Sequence, residues 1–227
     1  MTVMDDNSVY KNICSKKLDM VRAHSSTSPV VWRFDEAGKT YILKDFSRNR
    51  FLYRNIIGRF LLWREYRALS AFAGISGVPK IIEFIKGRAI ITEEIKGKSL
   101  KNLDQEKKLP ESFFEELKNL IDIIHDNGVA HCDLKSFGNI IEGEDGKPYI
   151  IDWGAAIQKK EFFIPPLNLI YERFLLDDYM AIIKIKLDHI PEKVTEEELL
   201  VYNNRSSAEK IIRKIRDRLR FLLKKVA

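Results

Sequence analysis

The sequence predicts an α+β protein in which a small antiparallel sheet comes first and a mainly helical part follows. Three strand-like runs occupy residues 18–23, 29–34 and 39–46, and the turn-forming segment 35–38 joins the last two as a hairpin. In the second half of the chain helical patterns dominate, beginning with 112–126, whose apolar side chains form one stripe.

The composition excludes several classes of protein. With 227 residues, 45% of them hydrophobic, the chain can bury a core as one domain or as two small lobes. No run of 18 apolar residues occurs and the N-terminus is polar, so we expect neither a transmembrane helix nor a secretory signal. Cys14 and Cys132 make no disulfide framework, so we expect a reducing cytoplasm. The net charge of +6 favours acidic partners without choosing among them.

The remaining elements follow from local patterns. Residues 1–16 show little pattern, and 48–73 predict one or two helices. A strand pair is predicted at 80–84 and 88–93. After the helix at 112–126, further helices are predicted at 168–187, from 196 onward and at 207–226. The last has one apolar and one basic face, typical of a helix packed on its domain, with a membrane-surface helix as the alternative.

Two short stretches place several chemically useful residues near one another. They are the run from His131 to Asn139 and the run from Ile150 to Gly154. The turn formers between them, 142–148, predict a hairpin, which brings the loop before its first strand next to the loop after its second. Asp133, Asn139 and Asp152 would then converge, as a site for a divalent metal and a phosphate requires.

These stretches resemble the catalytic loop and the metal-binding loop of the protein-kinase-like fold. The resemblance implies a single kinase-like domain over 1–227, with two lobes at about 17–97 and 98–227 that share an ATP cleft. In such a site Asp133 would orient the acceptor hydroxyl and accept its proton, and Lys135 would meet the transferring phosphoryl group. Asn139 and Asp152 offer the oxygen ligands that Mg²⁺ prefers.

The resemblance also assigns residues that bind the nucleotide. Lys44 lies in the strand-like run 39–46, where residues 41–44 are similar to the strand that carries the phosphate-binding lysine of kinases. Glu65, 21 residues later, suits the ion pair that holds this lysine. Taken alone, Lys44 would be a surface lysine and Glu65 would pair with a neighbouring arginine equally well. By their position in the hinge-like segment 93–100, the backbones of Glu93 and Ile95 would bind the adenine edge.

Three features depart from the kinase pattern or add to it. Asn139 lies six residues after Asp133, where the signature has five, which indicates a one-residue bulge and makes Ser136 an alternative ligand. The segment 24–28 replaces the glycine-rich loop; we favour a solvated loop over a phosphate contact. His131 is expected to brace the loop rather than act as a base. A zinc site is not supported, since no second Cys/His pair has ligand spacing.

The helical region after residue 47 is basic, with aromatic residues interleaved among its arginines. It is either a solvated helix face, with arginine stems covering apolar side chains, or a surface for an anionic substrate or membrane. The sequence does not decide between the two.

No Ala-Pro-Glu segment follows Gly154, and the chain is short for a eukaryotic-type protein kinase. It resembles the compact bacterial branch of the fold: the lipopolysaccharide-core kinases, which act on heptose or Kdo sugars, and the RIO-type kinases. The leading hypothesis is an ATP- and Mg²⁺-dependent kinase of a core-sugar hydroxyl, cytoplasmic and in possible contact with the inner membrane. The alternatives are a RIO-like serine/threonine protein kinase and a pseudokinase-like nucleotide-binding module. An anionic glycolipid is the expected partner, and no nucleic acid is expected.

Overall fold

The computed structural model describes residues 6–104, 107–165 and 167–203. They form two compact units, one made of residues 6–67 and 80–94 and the other of residues 68–79 and 95–203. The predicted helix at 207–226 lies outside the described residues, and the predicted lobe boundary near 97 stays a prediction. Among the described residues no helix has the length and apolar content needed to cross a bilayer.

The first unit is built on a five-stranded antiparallel sheet, as the strand-like runs predicted. The strands are β1 (Asp19–Arg22), β2 (Val30–Glu36), β3 (Lys39–Asp45), β4 (Ile81–Ile85) and β5 (Ala89–Glu93). Their spatial order in the sheet is β1-β2-β3-β5-β4. Between β2 and β3 the chain reverses at Ala37 and Gly38, whose φ angles of 50° and 75° are typical of the tightest hairpin turns.

The N-terminal residues include a helix, α1 (Asp6–Cys14), where the sequence showed little pattern. Ile13 belongs to the core cluster of the sheet, and the Tyr10 hydroxyl donates a hydrogen bond to the Asp45 carboxylate at 2.7 Å. Of the side chains that the structure describes in this helix, Tyr10 and Ile13 dock it, and this short spacing does not make a recognisable period. The cluster that Ile13 joins also contains Phe34, Leu43, Ile85, Ala89 and Ile91.

A continuous helical segment follows the sheet's first three strands. It consists of α2 (Phe51–Tyr53), a π-helical turn (Arg54–Gly58) and α3 (Arg59–Ala71). Gly58 lies against the ring of Phe46, because a Cβ added to Gly58 would be 2.8 Å from Phe46 Cγ. The wider π turn therefore coincides with a close approach to the core that only glycine permits.

The second unit combines helices with two small sheets. Its elements are β6 (Gly97–Ser99), α4 (Glu111–Asp126), β7 (Val129–Ala130), β8 (Ile140–Gly143), β9 (Pro148–Ile150), β10 (Ile157–Gln158), α5 (Leu167–His189) and α6 (Glu196–Asn203). Strand β6 pairs with β8, which pairs with β9, and β7 pairs with β10, all antiparallel.

Helix α4 confirms the strongest helix prediction. It begins after Pro110 and ends before Asn127 and Gly128, whose φ of 73° is favourable for glycine at a helix end. The predicted apolar stripe is buried; its members are Phe113, Phe114, Leu117, Leu120, Ile121 and Ile124.

Gly97 provides a test of the β6–β8 pairing. Its φ is 150°, and a Cβ at this position would be 2.1 Å from the Glu142 backbone oxygen. We expect Gly97→Ala to lower the free energy of unfolding by about 3 kcal/mol, because backbone strain adds to a steric clash. Urea titration of the fluorescence signal measures it.

Gly146→Ala is the matched control, because Gly146 has a φ of 77° but no atom within 4 Å of an added Cβ. We expect this variant to lower the free energy of unfolding by about 1 kcal/mol, because alanine is strained in the left-handed conformation but meets no steric clash. Equal losses in the two variants would contradict the close approach of β6 to β8.

Candidate functional site

The β8–β9 hairpin places Asn139 and Asp152 at the same end. Ile140 pairs with Ile150 in the ladder, and one step further the Ile151 N–H donates to the Asn139 carbonyl at 2.9 Å. Asp152 is the next residue. The register of the hairpin therefore brings together the two stretches that the sequence singled out.

Asn139 reaches Asp133 despite the extra residue between them. Two consecutive turns accommodate the extra residue. Ser136 N donates to Asp133 O at 3.2 Å, and Asn139 N donates to Ser136 O at 2.9 Å. The Asn139 Nδ2 group then donates to Asp133 O at 3.0 Å and to Asp133 Oδ2 at 3.1 Å. The amide oxygen of the buried Asn139 is left as the atom for a metal ion; the role of Asn139 as metal ligand stays a prediction.

His131 braces the loop, as the sequence indicated. Its Nε2 lies 3.0 Å from the Ile151 carbonyl, and the Asp133 N–H donates to its Nδ1 at 3.3 Å. This pairing selects the tautomer with its proton on Nε2. The ring also packs edge-on against Trp153, 4.6 Å between centroids. His131 thus links the start of the catalytic-loop stretch to the residue before Asp152.

Asp178 is a site residue that the sequence reasoning missed. Its carboxylate accepts hydrogen bonds from the His131 N–H at 2.8 Å and the Cys132 N–H at 3.1 Å, and it lies 3.1 Å from His125 Nε2. It holds Cys132 in a left-handed conformation, with φ 68°. Asp178 is 1% exposed, and a carboxylate among the apolar residues of a predicted helix was the signal available in the sequence.

Tyr171, two helical turns before Asp178 on α5, is buried beside this loop with Ala130 and Ile157. Burial raises the pKa of Tyr171 to about 12, and the nearby carboxylates of Glu172 and Asp178 add to the shift. Its hydroxyl therefore remains protonated at neutral pH.

Asp152 adopts a left-handed backbone conformation, with φ 67° and ψ 69°. Such a conformation is unfavourable for a non-glycine residue and persists only where the surroundings impose it. Trp153 supplies that constraint, since its ring is fully buried and its Nε1–H donates to the Ile150 carbonyl at 3.2 Å. The strained turn determines where the Asp152 carboxylate is directed.

Lys135 lies in an ion pair with α5. Its Nζ is 2.9 Å from Asp177 Oδ1, and Arg173 Nη2 is 3.1 Å from the same oxygen. Its side chain is 42% exposed. A contact between Lys135 and a phosphoryl group would compete with Asp177, and this predicted role stays a prediction.

The first unit contains the predicted lysine–glutamate pair. Lys44 Nζ donates to Glu65 Oε1 at 2.6 Å, with the two side chains only 13% and 6% exposed. The sequence allowed either a long-range Lys44–Glu65 pair or a local pair between Glu65 and a neighbouring arginine. The structure contains the long-range pair. Water is largely excluded from it, so the pair restricts the lysine more firmly than a surface contact would.

Glu93 and Ile95 were predicted to bind adenine through their backbones. The Glu93 N–H already donates to the Lys80 carbonyl at 3.0 Å, and the Glu93 side chain accepts from Lys80 N at 3.1 Å. A ligand would therefore use the Glu93 carbonyl rather than its N–H. The contact of either residue with a nucleotide stays a prediction.

The segment 24–28 is held by two side chains that the sequence did not reveal. Asn49 Nδ2 lies within hydrogen-bond distance of the Ser25, Ser26 and Ser28 carbonyls, and the Tyr53 hydroxyl donates to the Thr27 carbonyl at 2.9 Å. Burial raises the pKa of Tyr53, which preserves the O–H as a donor.

The available ligand atoms suit magnesium. In the described ranges no group of three or more His, Cys, Asp or Glu side chains is arranged to hold a metal ion. Mg²⁺ does not need such a cluster, because it binds one or two protein oxygens and completes its shell with water and phosphate. The Asn139 amide oxygen and the Asp152 carboxylate fit this requirement.

Comparison with known proteins identifies the family. The RIO domain matches residues 30–163, more than half of the chain, a range that includes every predicted site residue. The chain is 31% identical over 113 residues to casein kinase II subunit alpha' of Saccharomyces cerevisiae, which covers 45% of this chain and 32% of that protein. A crystal structure of a Rio2 kinase–ADP/Mg²⁺–phosphoaspartate complex from Chaetomium thermophilum superimposes with a TM-score of 0.57 and 17% identity, covering 83% of this chain and 61% of that one.

The fold is therefore the protein-kinase-like fold, with an antiparallel sheet in its N-terminal lobe, as the sequence predicted. The chain belongs to the RIO domain family. It spans about a third of the curated relative and 61% of the structural neighbour.

Asp178 gives the sharpest test of how the loop is held. Asp178→Ala removes the acceptor of two backbone N–H groups, so we expect a loss of about 3 kcal/mol in the free energy of unfolding. Urea denaturation measures it. Asp188→Ala, an exposed acid on the same helix, should stay within about 0.5 kcal/mol of the wild type. Similar losses in both variants would contradict the anchoring role.

Proposed function

We propose that this protein is an ATP- and Mg²⁺-dependent kinase of the RIO type that phosphorylates a serine or threonine hydroxyl of a protein. The observation that carries the proposal is the hydrogen-bonded pair of Asp133 and Asn139 beside Asp152, inside the region that matches the RIO domain. The ADP and Mg²⁺ of the Rio2 neighbour support the same nucleotide and metal.

Each residue has a defined task in this proposal. Glu65 holds the Lys44 ammonium, which binds phosphate oxygens of the nucleotide. Asn139 and Asp152 hold Mg²⁺, which neutralises charge on the phosphates when bound. Glu93 and Ile95 bind the adenine edge through their backbones.

In the transfer step, Asp133 accepts the proton of the acceptor hydroxyl, whose oxygen bonds to the γ-phosphorus as the bond from that phosphorus to the β–γ bridging oxygen breaks. ADP leaves with the electron pair of that bond. Asn139 Nδ2 keeps the Asp133 carboxylate in one orientation for this role. Lys135 leaves its ion pair with Asp177 and binds the transferring phosphoryl group instead.

The identity of the molecule that accepts the phosphoryl group is the most specific part of the proposal. A lipopolysaccharide-core sugar was the first hypothesis from the sequence, but the family match favours the RIO-like alternative. Glycolipid acceptors and cytoplasmic action at the inner membrane remain proposals with no support from the relatives. A pseudokinase-like module is the third candidate, since the segment 24–28 has no glycine-rich sequence.

Lys44→Met and Asp152→Asn test the nucleotide site. We expect each to lower kcat/KM for ATP by at least about 100-fold, because each removes a charge that acts on the phosphates or their metal. Lys39→Met, an exposed lysine on the same strand, and Asp145→Asn, at the opposite end of the β8–β9 hairpin, are the controls and should retain activity.

The acceptor is tested with radiolabelled ATP in parallel reactions containing the protein alone, casein or purified lipopolysaccharide core oligosaccharide. We expect label on protein serine or threonine, located by phosphopeptide mapping. Label on the oligosaccharide alone would return the assignment to a sugar kinase. ATP binding without transfer to any acceptor, unaffected by Asp152→Asn, would favour the pseudokinase.

A further inference from the structure

The helical segment between Phe51 and Arg67 presents large apolar side chains to solvent along one side. Leu52 is 51% exposed, Ile56 56%, Phe60 48% and Trp63 42%. These positions are separated by four, four and three residues, the spacing of neighbours on one face of a helix. Together with the exposed Arg59 they form what we call the outer face.

The opposite side of the segment already supplies its contacts with the core. Tyr53, Leu62 and Glu65 are buried there. A surface helix normally turns its polar side to water. The outer face therefore contributes little to folding, and an exposed apolar patch of this kind marks an interaction surface.

The segment that carries the outer face is itself strongly positive. Residues 48–67 contain six arginines and a single acid, Glu65, which is buried and paired with Lys44. Three of the guanidinium groups lie over aromatic rings: Arg54 over Phe51, Arg64 over Phe60 and Arg67 over Trp63, at 5.6, 5.3 and 4.5 Å from the ring centroids. Stacking uses the flat face of a guanidinium, whereas phosphate is bound by its N–H edge.

We propose that the outer face binds the surface of an anionic lipid bilayer. Its apolar side chains would enter the boundary between headgroups and acyl chains, and the surrounding arginines would bind lipid phosphates. Tryptophan and phenylalanine favour this depth of a membrane, and arginines next to a buried apolar stripe are typical of helices that lie in its plane. The surface is independent of the proposed kinase activity.

The same residues fit a nucleic acid less well. Single-stranded nucleic acids stack their bases on aromatic faces, but guanidinium groups lie over Phe51, Phe60 and Trp63. Leu52 and Ile56 provide neither stacking nor hydrogen bonds to a base, whereas both contribute to insertion into lipid. The aliphatic half of the outer face therefore favours the bilayer.

Vesicle flotation tests the proposal with the full chain. We expect binding to phosphatidylcholine vesicles that contain about one third phosphatidylglycerol, and little binding to phosphatidylcholine alone, because the arginines need anionic lipid. Leu52→Ser/Ile56→Ser/Phe60→Ser should weaken binding by at least about tenfold through lost apolar burial. Met20→Ser/Val21→Ser is the matched control, since these β1 side chains are 53% and 55% exposed; it should bind within about twofold of the wild type.

A spectroscopic readout keeps the test independent of the stability of the triple variant. In a Trp32→Phe background, Trp63 is the tryptophan that brominated lipids can quench, because Trp153 is fully buried. We expect quenching with anionic vesicles, and its loss, with binding retained, in the further variant Trp63→Phe.

Three results would overturn the proposal. They are equal binding to neutral and anionic vesicles, the same loss of binding in the control as in the triple variant, and an unquenched Trp63 on vesicle-bound protein. Binding to a single-stranded RNA or to an acidic protein that depends on the outer face, without binding to vesicles, would reassign the surface to that partner.

Discussion

The arrangement of the candidate site depends on one buried carboxylate. Asp178, on α5, accepts the backbone N–H groups of His131 and Cys132 and lies beside His125. Backbone donors at the start of the loop would otherwise lack partners in an apolar interior, and Cys132 could not be held in its unfavourable conformation. The long helix α5 thus acts as the support on which the loop from His131 to Asn139 is built.

A second set of contacts extends this support to Asn139 and Asp152, the predicted metal ligands. His131 hydrogen-bonds the Ile151 carbonyl, and Ile151 in turn donates to Asn139. Asp152, which follows, is constrained by the buried Trp153. Asp133, Asn139 and Asp152 are therefore positioned by backbone groups as well as by one another.

Charged side chains are placed differently in the two units. In the second unit Asp133 and Asp152, the two acids predicted to act on the phosphates and their metal, lie outside the helices and strands. In the first unit one acid, Glu65, restrains Lys44, and the other cations of the region lie on its surface. The arginines over Phe51, Phe60 and Trp63 leave this surface both apolar and positive, a combination that the α3 packing does not require.

The sequence by itself determined strands β1 to β5, the helices from α2 to α6, the β8–β9 hairpin and the candidates Lys44, Glu65, Asp133 and Asp152, because periodicity, turn residues and motif spacing are local properties. The short strands β6, β7 and β10 were not predicted. Helix α1 was not predicted, since its described docking residues, Tyr10 and Ile13, do not make a periodic pattern in the sequence. The role of Asp178, the partner of Glu65 and the reach of Asn139 to Asp133 were decided only by the tertiary structure. Each depends on hydrogen bonds or ion pairs whose geometry a linear spacing does not specify.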